Sequence, residues 1–234
     1  MASSRHHRSL LKEKYFHIFF PSQTMKRKMN DATIIVGKKG SGKTSLALAL
    51  IKLYHKFKPR DHIYVFTQVP ENYDEIRRKV LIIDINKMIE DFDQGESAKF
   101  TDLLPEISEL QNSLVVLDDV ESIPQKTLNS YMTRFINLLF QNGRNYNIQI
   151  ILILHHLNRG NTSTQMIKEA DALVIFPDSF DYNTLNTLVH HYGFSRQKAM
   201  ELFNVKEKFL LLRNTNPMYL FGGSTLRTYP LDKI

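Results

Sequence analysis

Residues 32–57 read ATIIVGKKGSGKTSLALALIKLYHKF. An apolar run, a glycine-rich loop and a run of helix formers follow one another without a spacer. Ala32 to Val36 suits a buried parallel strand, because every side chain is apolar or β-branched. Ser45 to Phe57 is rich in helix formers and stops before Pro59. Between them Gly37 to Thr44, GKKGSGKT, matches the spacing G-x-x-x-x-G-K followed by Ser or Thr. Each residue type in that loop has a physical reason. Glycines 37, 40 and 42 let the backbone turn so that the amides of Lys38, Lys39, Ser41 and their neighbours point inward as an anion nest. The helix behind them presents free N–H groups and its dipole to the same anion. Lys43 adds a positive charge suited to β- and γ-phosphates. The Thr44 hydroxyl is a hard oxygen suited to Mg²⁺, and Ser45 continues the helix start. The loop predicts binding of a nucleoside triphosphate, ATP above all.

Outward from the loop, strands and helices alternate. His62–Thr67 (HIYVFT), Val80–Asp84, Leu114–Leu117, Ile148–Leu154 and Ala172–Phe176 read as further strands. Helices are expected over the charged segment behind Pro70, over residues 86–112 in two pieces broken near Gln94 and Gly95, and over Gln125–Phe140 up to Gly143. Two more are expected near Tyr182–His191 and Ser195–Phe203. The tail holds Phe209–Leu212, Met218–Phe221 and Leu226–Tyr229, which read as a terminal hairpin or meander. The pattern predicts an α/β fold: a P-loop three-layer sandwich whose mostly parallel sheet carries helices on both faces.

Binding phosphates is not yet hydrolysis. LVVLDD, Leu114 to Asp119, is an apolar strand ending in two carboxylates. In a parallel sheet such strand ends lie on the ligand side. Asp118 is expected in the Mg²⁺ shell beside Thr44, and Asp119 is expected to orient the attacking water, with Glu121 as a fallback. Gly143-Arg144 precedes the strand Ile148–Leu154, and His155 and His156 follow it. Residues 144 and 155 therefore sit at opposite ends of a span of up to roughly 35 Å. His155 falls on the nucleotide side as a candidate sensor. Arg144 falls at the far edge, out of reach of its own nucleotide but placed for a neighbour's in a ring; the plain alternative is a solvated arginine at a helix end. The adjacent histidines lack a third ligand at metal-site spacing.

Composition bounds the rest. The 234 residues are 42% hydrophobic and 24% charged, ordinary for one folded α/β unit. The absence of cysteine excludes disulfides and thiolate metal sites. No apolar run approaches the roughly 20 residues of a membrane helix. The net charge of +7 is concentrated in residues 1–30, where Arg5, Arg8, Lys12, Lys14, Lys26, Arg27 and Lys28 face a single acid, Glu13. A basic arm of residues 1–30 is thus set apart from a domain spanning residues 31–234. Such an arm suits nucleic acid, an acidic neighbour, a membrane surface or simply solvent. Its aromatic cluster, Tyr15, Phe16, Phe19 and Phe20, reads as a packing segment.

The combined pattern resembles the genome-packaging ATPases of large double-stranded DNA viruses, within the FtsK–HerA superfamily. The similarity covers roughly residues 31–221. It rests on GKKGSGKT, LVVLDDV, NGRNYNIQIILIL and ADALVIFP, in that order. The family's loop corresponds to Gly37–Thr44, its acidic strand end to Asp118, Asp119 and Val120, and its Gly-Arg to Gly143 and Arg144. The chain departs from it at Asn145, where the family usually has His, and at His155, where it usually has Gln. The resemblance implies an ATP- and Mg²⁺-dependent hydrolase forming a homo-oligomeric ring. That ring would pump double-stranded DNA into a preformed viral capsid, at the virion or the assembly site in an infected host cell. It supports Arg144 as a catalytic finger. A small-molecule kinase and a non-catalytic, nucleotide-switched binding module remain the alternatives; neither the Arg-rich lid nor the substrate segment of a simple nucleoside kinase is identifiable.

Overall fold

The computed structural model describes residues 16–21, 31–94, 104–124, 126–157, 161–179, 181–214, 218–222 and 226–229. Nine strands form one sheet: β1 (Ala32–Val36), β2 (His62–Thr67), β3 (Leu81–Asp84), β4 (Ser113–Asp118), β5 (Gln149–Leu154), β6 (Ala172–Ile175), β7 (Leu210–Arg213), β8 (Met218–Gly222) and β9 (Leu226–Tyr229). Their order is β3-β2-β4-β5-β1-β6-β7-β8-β9. The block from β3 to β6 is parallel. β7, β8 and β9 then return as an antiparallel meander. The α/β sandwich and its terminal meander are as the alternation predicts. β1 sits between β5 and β6, with Val36 level with Leu154 and Ile175. β4 lies one strand further out, beside β5. The loop after β1 and the carboxylates ending β4 therefore emerge at the same edge.

The central strands are buried on both faces, which is why they read as unbroken apolar runs. One face is covered by α1 (Lys43–Phe57) and by the segment Pro70–Lys79. Helices α2 (Ile85–Asp93), α3 (Lys126–Asn142), α4 (Asn161–Glu169), α5 (Tyr182–His190) and α6 (Arg196–Leu202) serve the other face. Leu128, Met132, Phe135 and Leu139 line the buried side of α3, one helical turn apart.

Several elements depart from expectation for identifiable reasons. Pro70–Lys79 is a 3-10 helix, not an α-helix. With three residues per turn, Tyr73 and Ile76 stack on one line, and they are the two residues that it buries. Of the two helical pieces expected over residues 86–112, the first is α2, capped by the Asp84 carboxylate. The second is reduced to a 3-10 turn at Ile107–Leu110, and residues 95–103 lie outside the described part. α3 ends at Asn142, and Gly143–Tyr146 continues as a 3-10 turn. Ile148 leaves the strand because its N–H donates back to the Gly143 carbonyl.

The N-terminal aromatic cluster is partly visible. Residues 16–19 form a helical turn, and Phe16, Phe19 and Phe20 are buried against α1 and the sheet. Phe16 stacks on Phe57 at 4.5 Å between ring centres. Tyr15 and every basic residue of the arm lie outside the described residues. A buried arginine fastens this turn. Arg213, 4% exposed, pairs with Asp31 at 3.1 Å and donates to the backbone carbonyls of Ile18 and Phe19. Breaking a buried pair by removing one partner costs about 3–5 kcal/mol. Arg213→Met is expected to lose that much stability in urea unfolding and to raise amide exchange over residues 16–20. A loss under about 1 kcal/mol would assign the anchoring to the phenylalanines alone.

Candidate nucleotide site

The site is built on the carboxyl edge of the sheet. Gly42 takes a left-handed conformation at φ 101°, which starts α1 directly over the strand end. Gly37 is needed for space: a Cβ there would lie 2.7 Å from the Ser41 hydroxyl and 3.2 Å from the Phe176 ring. The Lys43 ammonium is buried at the centre, donating to the carbonyls of Gly37 at 2.6 Å and Lys38 at 3.1 Å. Burial lowers its pKa, opposed by the negative charges of Asp119, Asp118 and Glu121.

The two carboxylates ending β4 have different surroundings. Asp118 is 2% exposed. Its Oδ2 accepts from the Thr44 hydroxyl at 3.3 Å and from the Tyr73 hydroxyl at 2.8 Å. Burial pushes its pKa up; the Tyr73 and Thr44 hydroxyls and the Lys43 charge pull it down, and neighbouring Asp119 adds to the rise. Asp119 is about one-third exposed and sits at φ 57°, a left-handed conformation uncommon outside glycine but most accessible to Asp and Asn. Two contacts hold it. The Gln68 amide donates to its carbonyl at 2.8 Å, and His155 Nε2 lies 2.7 Å from Oδ1.

His155 joins the loop to that carboxylate. Its Nδ1 faces the Lys43 amine at 3.3 Å. An ammonium only donates, so Nδ1 accepts and Nε2–H donates to Asp119. The backbone N–H of His155 donates to Glu121 Oε1 at 3.0 Å, so Glu121 holds the strand end.

Lys39, Gly40, Gly42, Lys43, Thr44 and Ser45 form one wall of a cleft of about 440 Å³, and Asp118, Asp119 and His155 another. Gly37, Lys38 and Ser41 lie beneath it and shape the loop. Arg144 is not part of it. It is exposed in the turn Gly143–Tyr146, at the amino edge of β5, where its charge acts on Asp171 just ahead of β6. Gln68, Val69 and Asn72 complete the lining, and Tyr73 stands behind it. Sequence reading passed over these four, because a strand end followed by a charged turn carries no motif. Among the described residues no three His, Cys, Asp or Glu side chains cluster as a metal site. Thr44 and Asp118 still suit Mg²⁺, which commonly takes one or two protein oxygens and completes its shell with phosphate and water.

Comparison with known proteins gives this arrangement its family. Residues 27–159 match the AAA domain, more than half of the chain. The chain belongs to the AAA domain family. Protein V3 of Sputnik virophage is 25% identical over 198 residues, which is 82% of this chain and 76% of that protein. The DNA-packaging ATPase B204 of Sulfolobus turreted icosahedral virus superposes with a TM-score of 0.52 at 15% identity, covering 88% of this chain and 100% of its own. The B204 packaging NTPase of Sulfolobus turreted icosahedral virus 2, in complex with AMPPCP, gives 0.52 at 15% identity over 86% and 98%. The cytoplasmic domain of the type VII secretion ATPase EccC from Thermomonospora curvata gives 0.50 at 15% over 82% of this chain and 25% of that one. The resemblance to viral packaging ATPases is matched by the fold of these structures, and this AAA domain is a P-loop NTPase. No described helix is long and apolar enough to cross a membrane.

Proposed function

We propose that this AAA domain hydrolyses ATP to drive double-stranded DNA into a viral capsid. One observation carries the reading: Lys43, the Thr44–Asp118 pair and the Asp119–His155 pair line a single cleft. The loop amides and Lys43 hold the β- and γ-phosphates. Thr44 and Asp118 would hold Mg²⁺, which would neutralise charge that builds during transfer. Asp119 orients a water in line with the γ-phosphorus. The water oxygen bonds to that phosphorus as one water proton passes to Asp119 and the bond to the bridging oxygen breaks, and ADP leaves with the electron pair. His155, hydrogen-bonded to Asp119 and facing Lys43, is the sensor between γ-phosphate and water.

Arg144 lies at the sheet edge remote from this cleft, which favours its use by an adjacent subunit in a homo-oligomeric ring. The resemblance to packaging ATPases supports duplex DNA and the capsid as partners, and the virion or assembly site as the location. The chain divides into the basic arm, residues 1–30, and the ATPase domain, residues 31–234, with residues 16–20 of the arm seated on the domain. The arm's cations offer sequence-independent phosphate contacts.

The test is ATP turnover with and without duplex DNA, with Lys43→Ala as the inactive reference. Turnover that rises with DNA, and loses that rise as salt is added, is the expected result. Phosphate transfer to a nucleoside without response to DNA would instead make the protein a kinase. ATP binding without turnover would make it a nucleotide-switched scaffold.

A further inference from the structure

Tyr73 is wholly buried, yet its hydroxyl points at the catalytic edge of the sheet. It donates to Asp118 Oδ2 at 2.8 Å, the same oxygen that Thr44 reaches at 3.3 Å. No hydrogen bond from a described residue reaches Oδ1 of Asp118. Burial and the neighbouring Asp118 carboxylate raise the phenol's pKa. Its ring is locked in place by the 3-10 turn, which stacks Tyr73 over Ile76 against the sheet.

We propose that Tyr73 is a positioning residue: its buried hydroxyl clamps one oxygen of Asp118 and so fixes how that carboxylate meets the Mg²⁺–nucleotide. The inference rests on Asp118 belonging to the metal shell. Two donors on one oxygen restrict rotation of the carboxylate about its terminal bond more than the Thr44 contact alone would. Partners that orient a metal's ligands typically account for 10–100-fold in metal affinity. Tyr73 lies 45 positions from Asp118 in the chain and touches neither the loop nor the acidic motif in sequence.

A second buried tyrosine supplies the control. Tyr54, also 0% exposed, donates to Asp61 Oδ2 at 2.8 Å, away from the cleft. Tyr54→Phe and Tyr73→Phe therefore delete the same group from the same kind of contact. The measurement is Mn²⁺ affinity in the presence of AMPPCP, read by electron paramagnetic resonance. AMPPCP affinity without metal and thermal unfolding are followed beside it. Tyr73→Phe is expected to weaken Mn²⁺ binding about 10–100-fold, leaving metal-free AMPPCP binding unchanged. Tyr54→Phe is expected to lower the melting temperature comparably with no change in Mn²⁺ affinity. The double variant Tyr73→Phe/Asp118→Asn should bind Mn²⁺ no worse than Asp118→Asn alone, because Tyr73 acts only through that carboxylate.

Equal Mn²⁺ affinity in Tyr73→Phe and the unsubstituted protein would overturn the inference, as would additive losses in the double variant. If Asp118→Asn itself leaves Mn²⁺ affinity intact, it is the metal assignment of Asp118 that fails, and the clamp falls with it.

Discussion

Arg144→Ala is expected to lower ATP turnover by about 10³–10⁵, the range for removing an arginine finger, while ATP affinity stays close to that of the unsubstituted protein. The reason is positional. Arg144 lies in the turn before β5, and His155 lies just beyond its other end. β5 runs parallel to β1 and β4, so the two residues are on opposite edges of the sheet. No side chain reaches across that distance, and a role for Arg144 in hydrolysis requires a second subunit. Mixing makes the point decisive. Arg144→Ala and Lys43→Ala proteins should each be nearly inactive. A mixture of the two should recover part of the activity, because some interfaces then pair an intact phosphate loop with an intact arginine. If the mixture stays as inactive as its components, the arginine does not act across an interface; unchanged turnover in Arg144→Ala alone would leave it a solvated surface residue.

Asp119→Asn is expected to cost about 10²–10⁴ in turnover, the usual contribution of a positioned acid–base group, again with ATP binding retained. The substitution is conservative in shape. Asn tolerates the left-handed backbone that Asp119 adopts at φ 57°, and its carbonyl can still accept from His155. The backbone contact from Gln68 is untouched, since it reaches the Asp119 carbonyl. What is lost is the negative charge and its ability to take a proton from water. Glu121 is the rival. Its carboxylate is engaged by the His155 backbone N–H, which makes it a support for the strand end and not a free base. Single-turnover hydrolysis of Asp119→Asn beside Glu121→Gln separates them. The assignment fails if Glu121→Gln suffers the larger loss.

The parts of this protein that could be read without coordinates are those whose meaning is local. The phosphate loop is eight consecutive residues whose spacing carries its geometry, and LVVLDD is a strand with its two carboxylates attached. Apolar runs such as Leu114–Leu117 announce strands buried on both faces, and the one-turn spacing of Leu128, Met132, Phe135 and Leu139 announces α3. The aromatic cluster near residue 16 signalled burial for the same reason: three phenylalanines in five residues favour leaving water. Less legible was the type of helix at Pro70–Lys79. Its polar composition allows either form, and it is the packing of Tyr73 and Ile76 on the sheet that selects three residues per turn.

The sequence by itself determined the layered α/β architecture, the phosphate loop and the acidic strand end, because each follows from a periodicity or a contiguous motif. Beyond the expected meeting of Thr44 with Asp118, only the tertiary structure decided which distant groups meet. It placed Tyr73 on Asp118 across 45 positions, His155 beside Lys43 across 112, and Arg213 on Asp31 across 182. A strand order of β3-β2-β4-β5-β1-β6 brings chain segments together that no spacing rule connects. Hydrogen bonds and charges act over a few ångströms of space, whatever the separation along the chain.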